Sequence, residues 1–291
     1  SARLSARRAF PAVQACGCRN QRRAAAFLAH VRRGGGRRPA PCLPSIGPRA
    51  PAYVRISRMA PKRLLLALPP RIRTEILASA ERISCERHQV LTDADQPLEH
   101  IYFPDSGVIS VVAVYPDGTV IEMATIGREG GTGFQAVFGA KMSSARLLVQ
   151  LPGTAARLPR RVFAEAMDDI PAFRSLMYAH VHAFLEQVMI STGCNGAHNL
   201  TQRLARWLLM MRDRHDDDTL LITQDLLAEM LGVQRPTITN AIHALRRAEL
   251  IQCGRRRVRI LDREGLIGAS CECYLLTRAR IAQHLPQTYP N

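Results

Sequence analysis

The chain has 291 residues, 47% of them hydrophobic, which is enough for about two domains with cores of their own. Its formal net charge of +16 points to a polyanionic partner, but thirteen of its forty Lys and Arg, and none of its acids, stand in residues 1–58, so from Met59 onward 27 basic groups face 24 acidic ones. No apolar run approaches the roughly 18 residues of a membrane span, and nothing before Met59 has the apolar centre of a secretion signal; a cytoplasmic protein with no membrane partner is expected.

Residues 1–58 are rich in Arg, Ala, Gly and Pro, include RRGGGRRPAP, and have no sustained apolar period, so a disordered leader is expected. A basic nucleic-acid arm and an Arg-rich transit peptide are the functional readings; the plainer one is translated upstream sequence, because Met59-Ala-Pro-Lys62 looks like an ordinary start. From Pro61 to Glu86 the apolar spacing is helical, with Ile72, Ile76, Leu77 and Ala80 on one face. Between Gln89 and Pro159 six β-rich pieces follow, QVLT, HIYF, GVISVVAVY, TVIEMATI, ARLLVQL and TAARL, punctuated by the turns at Pro104–Gly107 and Pro116–Gly118. Short strands so evenly spaced predict a small antiparallel barrel or double-sheet roll over residues 59–165. GREGGTGF, residues 127–134, reads as a tight bend in it.

Pro171 opens a long helix within residues 166–195. Phe173, Leu176, Met177, His180, Phe184, Leu185, Val188 and Met189 give it an apolar stripe too broad for one small roll to cover, so a partner helix is expected. His180 and His182 read as ordinary partly buried or solvated side chains, with a pH or metal element as the alternative. After Gly193–Gly196 a further helix brings Leu204, Trp207, Leu208 and Met211 to one side, and Asp216–Asp218 precedes a short strand.

The region 196–275 holds the most informative stretch, TQDLLAEMLGVQRPTITNAIHALRRAELI, residues 223–251. Thr223 is an N-cap hydroxyl, Asp225 suits the positive helix end, and Leu226, Leu227, Met230 and Leu231 form an apolar face that ends at Gly232. A second helix opens at Gln234 and Arg235, with Pro236 in its first turn, where no N–H is needed. Behind it lie Ile238, Ala241, Ile242 and Leu245; in front stand Gln234, Arg235, Thr237, Thr239, Asn240, His243, Arg246 and Arg247. An apolar back with donors in front suits the major groove. The following QCGRRRVRILD reads as a hairpin wing that carries Arg255, Arg256, Arg257 and Arg259 toward phosphates.

This stretch resembles the C-terminal DNA-binding domain of the Crp/Fnr family of bacterial transcription regulators. The matching residues are Thr223, Leu227, Ala228, Gly232, Val233, Arg235, Thr237, Ile238, Leu245, Leu250 and Ile251. The resemblance implies an α+β fold: an N-terminal antiparallel double-stranded β-roll of the cyclic-nucleotide-binding type, a long dimerisation helix, and a C-terminal winged helix-turn-helix domain. It also implies a homodimer on double-stranded DNA at a palindromic operator, with RNA polymerase as a further partner, and Thr223, Gln234, Arg235, Thr237, Thr239, Asn240, His243, Arg246, Arg255, Arg256 and Arg257 at the DNA. Residues 127–134 then occupy the family's glycine-rich turn. In nucleotide-binding members a Gly-Glu follows that turn and an Arg precedes a Ser-Ala or Thr-Ala. Here Phe134 and Gln135 follow Gly133, and Ser143 precedes Ser144-Ala145, so a cyclic nucleotide is not expected. Pro236 and Asn240 replace a reading glutamate and a second arginine of the nucleotide-sensing archetype, so a different operator is expected.

Some family members carry an iron–sulfur cluster on N-terminal cysteines, but only Cys85 stands in the sensor portion. Cys194 and Cys253 are scattered, and Cys16, Cys18 and Cys42 lie in the leader. Cys271 and Cys273 form a C-x-C whose expected role is that of ordinary thiols, with a redox or metal contact as the alternative. No cofactor and no metal is expected. Neither G-x-S-x-G nor H-E-x-x-H nor a Walker pattern occurs, so no enzyme is expected. The alternative function is a ligand-binding or protein-interaction module whose helix-turn-helix does not read DNA. Residues 276–291 are expected to be a C-terminal tail.

Overall fold

The β-branched residues between 81 and 159 fall in short runs between Gly, Pro and Asp turns, and seven strands form from them: β1 (Glu81–Cys85), β2 (Val90–Thr92), β3 (His100–Pro104), β4 (Val108–Val114), β5 (Val120–Ile126), β6 (Arg146–Leu151) and β7 (Gly153–Pro159). In this computed structural model, which describes residues 64–286 apart from Asp216, together with Thr288, the strands make two antiparallel sheets, β1-β7-β3 and β2-β6-β4-β5. The leader, its cysteines and the Met59 start lie outside the described residues. Gly107 allows the sheets to close: it sits at φ +78, and a Cβ there would lie 2.5 Å from the Leu151 carbonyl oxygen. Cys85, Tyr102, Ile109, Val111, Ala124, Ile126, Leu147 and Val149 fill the space between the sheets.

The helical period expected through Glu86 does not last that far. Helix α1 (Pro70–Ala78) stops at Ser79, and residues 81–85 pair antiparallel with β7, from Glu81 opposite Arg157 to Cys85 opposite Gly153. A five-residue ladder on an open sheet edge satisfies more backbone groups than one further helical turn, so tertiary pairing overrides local period here. After the roll comes a helix the strand pattern did not announce, α2 (Arg160–Asp169), which buries Phe163, Ala166 and Met167 against Leu64, Ile76, Ile101 and Leu158.

Pro171 then starts α3 (Pro171–Ala197), roughly 40 Å long at 1.5 Å per residue. It runs through Gly193 and Gly196, where a break was expected. Helix α4 (Leu200–Arg214) begins on a capping box, in which the Asn199 side chain accepts from Gln202 N and the Gln202 side chain accepts from Asn199 N. Next come β8 (Thr219–Leu220), α5 (Gln224–Leu231), α6 (Arg235–Arg247), β9 (Ile251–Cys253), β10 (Val258–Ile260) and α7 (Arg263–Ala269), with a wing sheet ordered β8-β10-β9. The expected tail is a helix instead, α8 (Cys273–His284). Its Cys273, Tyr274, Thr277 and Ile281 are buried, and it packs along α3. No helix among the described residues is long and apolar enough to cross a membrane.

One apolar core spans both halves of the molecule. Val108, Val112 and Leu151 of the roll join Trp207, Leu208, Leu227, Met230, Ile238, Ile242 and Tyr274. The stripe of α3 divides: Phe173, Met177, His180 and Phe184 are buried within the chain, whereas Leu185 and Met189, with Tyr178 outside the stripe, remain 46–63% exposed.

Candidate nucleic-acid interface

Local chemistry fixes the helix-turn-helix. Thr223 Oγ1 accepts from Leu226 N at 3.2 Å, which satisfies one of the unpaired N–H groups at the start of α5. Gly232 ends that helix at φ +64, and the Val233 N–H returns to the Ala228 carbonyl at 2.9 Å, the left-handed cap that glycine adopts without strain. Arg235 and Pro236 form the first turn of α6, whose Ile238, Ala241, Ile242 and Leu245 are all buried. After α6 the residue that turns the chain is Glu249, at φ +57.

Most of the expected reading residues share one exposed surface. Gln234, Arg235, Thr237, Asn240, His243 and Arg246 are exposed along α6, and Arg255, Arg256 and Arg257 are exposed on the β9–β10 loop. Gly254 N to Arg257 O, 2.8 Å, closes that loop. Thr223, Asp225, Arg235, Arg255 and Arg256 line one open cleft of about 390 Å³ between the start of α6 and the wing. Arg235 Nε lies 3.2 Å from Asp225 Oδ1, both side chains being about two-thirds exposed; a pair in such a setting contributes little and yields readily to a phosphate or base edge. Thr239 differs from its neighbours. It is half-buried, and its hydroxyl lies 3.1 Å from Gln224 Oε1 and 3.0 Å from the Arg235 carbonyl, so its proton is used inside the motif, between α5 and α6.

The glycine-rich turn of the roll is occupied by the chain's own side chains. His180 of α3 reaches it, its Nε2 lying 2.7 Å from Gly131 O, and burial pushes the His180 pKa down, so the ring is neutral. Phe134 stacks on Phe184 at 4.5 Å between centroids. Arg146, the nearest arginine to the place of a phosphate ligand, is bound to Asp93 by two hydrogen bonds of 2.9 Å. The cavity left between the turn and α3 measures about 20 Å³, against roughly 300–1,000 Å³ for ordinary ligand pockets.

Residues 82–169 match the family model of the cyclic nucleotide-binding domain, and residues 202–268 match that of the Crp-like helix-turn-helix domain. The chain belongs to the Crp/Fnr family. Among solved structures, a Crp/Fnr transcriptional regulator from Eubacterium rectale is 15% identical, with 71% of this chain and 96% of that one aligned at a TM-score of 0.57. FixK2 from Bradyrhizobium japonicum is 18% identical over 66% of this chain and 98% of its own, TM-score 0.56. A CRP-family regulator from Thermus thermophilus is 20% identical over 66% and 99%, TM-score 0.55. At such identities these likenesses establish the two-part fold. No curated protein matches the chain as a relative.

The Crp/Fnr resemblance did not reveal the group that joins the roll to the helix-turn-helix half. Arg214, at the end of α4, is 1% exposed and holds Glu129 of the glycine-rich turn at 2.6 Å; it also donates to Met210 O and to Gln187 Oε1 of α3. Gln187 in turn donates to Thr125 O of β5 at 2.9 Å. Close by, Glu122 of β5 accepts from Trp207 Nε1 at 2.8 Å and from the Ser110 hydroxyl, and burial pushes its carboxyl up to about 7. In the sequence Arg214 is one basic residue among several at a helix end, and 85 residues separate it from Glu129. Also unanticipated is a convergence of Cys194, His198, Cys271 and Cys273. The C-x-C of Cys271 and Cys273 was its legible signal, while Cys194 stood alone in the sequence.

Proposed function

We propose that this Crp/Fnr regulator is a homodimer that binds double-stranded DNA in a sequence-dependent way, placing α6 in the major groove and the wing arginines on the backbone, at a two-fold-symmetric operator. The observation that carries this is the bare face of α6. Gln234, Arg235, Thr237, Asn240 and His243 are exposed over a fully buried apolar back, and Arg255 and Arg256 of the wing share a cleft with Arg235. Tyr178, Leu185 and Met189 of α3 form the seam of the dimer, which sets two copies of α6 one DNA turn, about 34 Å, apart. Arg235 reads a guanine and Asn240 an adenine; Thr237 and the arginines bind phosphate.

Signal transfer runs from the glycine-rich turn through Glu129 and Arg214 to α4, with Gln187 of α3 joined to the same group. A signal that moves that turn moves α3 and the DNA-binding half together. The filled turn and the pairing of Arg146 with Asp93 support a signal other than a cyclic nucleotide. RNA polymerase is the partner through which binding acts on transcription.

Selection of genomic fragments with the full chain, followed by titration on the selected site, tests the reading. Arg235→Ala should weaken the selected site by about 1–3 kcal/mol and relax one base position, with random DNA nearly unaffected. Equal losses on both would sink the assignment of Arg235. Cyclic nucleotides added to the same titration should leave the affinity unchanged.

A further inference from the structure

Four donor groups meet where the end of α3 touches the start of α8. Cys194 lies in the last turn of α3, His198 is the capping residue four positions on, and Cys271 and Cys273 flank Glu272, the N-cap of α8. Their Sγ and ring-nitrogen atoms all lie within 4.8 Å of one another, with the three cysteines buried and His198 half-buried. Cys194 Sγ is 3.5 Å from Cys271 Sγ, and Cys273 Sγ is 3.6 Å from His198 Nδ1. Around a tetrahedral zinc ion, bond lengths of about 2.3 Å to sulfur and 2.0 Å to nitrogen separate such ligand pairs by about 3.5–3.8 Å. Two of the pairs thus already have the spacing of one ion's ligands, and the other pairs lie within 4.8 Å.

The surroundings fit a metal as well. His198 Nε2 lies 3.1 Å from Glu272 Oε1; a carboxylate that takes the Nε2–H leaves the Nδ1 lone pair for the cysteine side, the orienting contact that metal-binding histidines make. Arg206 is buried, and among the described residues its Nε has no hydrogen-bond partner and its guanidinium no carboxylate in ion-pair contact. Three thiolates and a neutral imidazole around a divalent ion carry one net negative charge, which a guanidinium balances. Helix α3 passes through Gly193 and Gly196, each unfavourable by about 1 kcal/mol relative to alanine, and only by doing so brings Cys194 and His198 to the same end of the bundle.

We propose that Cys194, His198, Cys271 and Cys273 bind one zinc ion in a closed structural site that clasps the C-terminal helix to the end of the long helix. Four protein ligands leave no open position for catalysis, and thiolate ligands favour zinc over magnesium or calcium. The spacing encloses a single ion and leaves no room for bridging sulfides. The clasp matters to the regulator because α8 also holds the DNA-binding half: Tyr274 Oη donates to Asp213 of α4 at 2.8 Å, and Arg278 donates to the same carboxylate at 3.0 Å.

The full chain, purified under reducing conditions, should carry one equivalent of zinc by elemental analysis. Cobalt(II) alone, added to the metal-depleted chain, should give the intense visible bands of a tetrahedral thiolate site. Cys273→Ser should lose the bands and the bound zinc while leaving the Cys194 and Cys271 pair intact. Glu272→Gln keeps all four ligands and should weaken zinc about tenfold, which guards against a variant that merely fails to fold. His182→Ala with His284→Ala should leave the zinc content unchanged, since the one carboxylate of that second trio, Glu186, already pairs with Arg280. A chain that takes up no zinc or cobalt and is two hydrogens lighter, through a bond between Cys194 and Cys271, would overturn the proposal. So would zinc retained in full by Cys273→Ser.

Discussion

The glycine-rich turn of the roll and the turn of the helix-turn-helix are both short loops beside helices with charged neighbours, yet the chain treats them oppositely. Around the first, the charges face inward: Glu129 meets Arg214 in a site almost closed to water, and His180 fills the bend. Around the second they face outward, and Arg235 has only an exposed partner in Asp225. Charges in low dielectric must be matched within the fold, whereas charges at the surface cost little to keep waiting. The first turn therefore holds the two halves together, and the second is left available to a polyanion.

The sharpest way to break this contrast is to strand a buried charge. Arg214→Ala should destabilise the chain by about 3–5 kcal/mol, because Glu129 is then left buried without its partner; Arg214→Met with Glu129→Gln should recover most of that loss. Urea unfolding of the single and double variants measures both, and equal stabilities would show that the pair is not buried in solution.

A smaller effect comes from Glu122, whose carboxyl is pushed up to about 7 by burial between β5 and α4. A carboxyl with a folded-state pKa above its unfolded value stabilises the fold fully below its ordinary pKa of about 4.5. That contribution is lost as pH rises through 7. Stability should thus fall on the order of 2 kcal/mol between pH 5 and pH 8 from this group, and Glu122→Gln should flatten the profile. An unchanged profile in that variant would place the titration elsewhere.

Glu249 gives a third, smaller test, because it holds φ +57, a left-handed conformation that costs a side-chain-bearing residue about 1 kcal/mol. Glu249→Gly should raise the unfolding midpoint modestly; a lower midpoint would show that the side chain contributes more than the strain costs. Smallest is the wing. Arg256→Ala should leave stability unchanged and make the slope of log affinity against log salt shallower by about 0.9, read from titrations at several salt concentrations. An unaltered slope would remove Arg256 from the phosphates.

Much of this molecule was legible because its signals are local. The six β-rich pieces coincide with β2 to β7, since β-branched alternation and turn residues act over four to eight positions. Thr223 as a cap, Gly232 as a left-handed stop and the buried stripe of α6 likewise follow from neighbours within one or two helical turns. The errors have a common cause. Residues 81–85 have a helical period but find a sheet edge, α3 continues through two glycines, and residues 276–284 form a helix because α3 offers them a surface. In each case the deciding partner is far away in sequence.

The same division runs through the functional groups. Sequence alone located the polar face of α6 and the arginine wing, because these depend on residue type at fixed spacing. Only the tertiary structure decided that Arg214 meets Glu129, that Thr239 turns inward, and that Cys194 and His198 meet Cys271 and Cys273. Those meetings depend on how distant elements pack, and a pair separated by 75 or 85 residues leaves no period for a sequence to display.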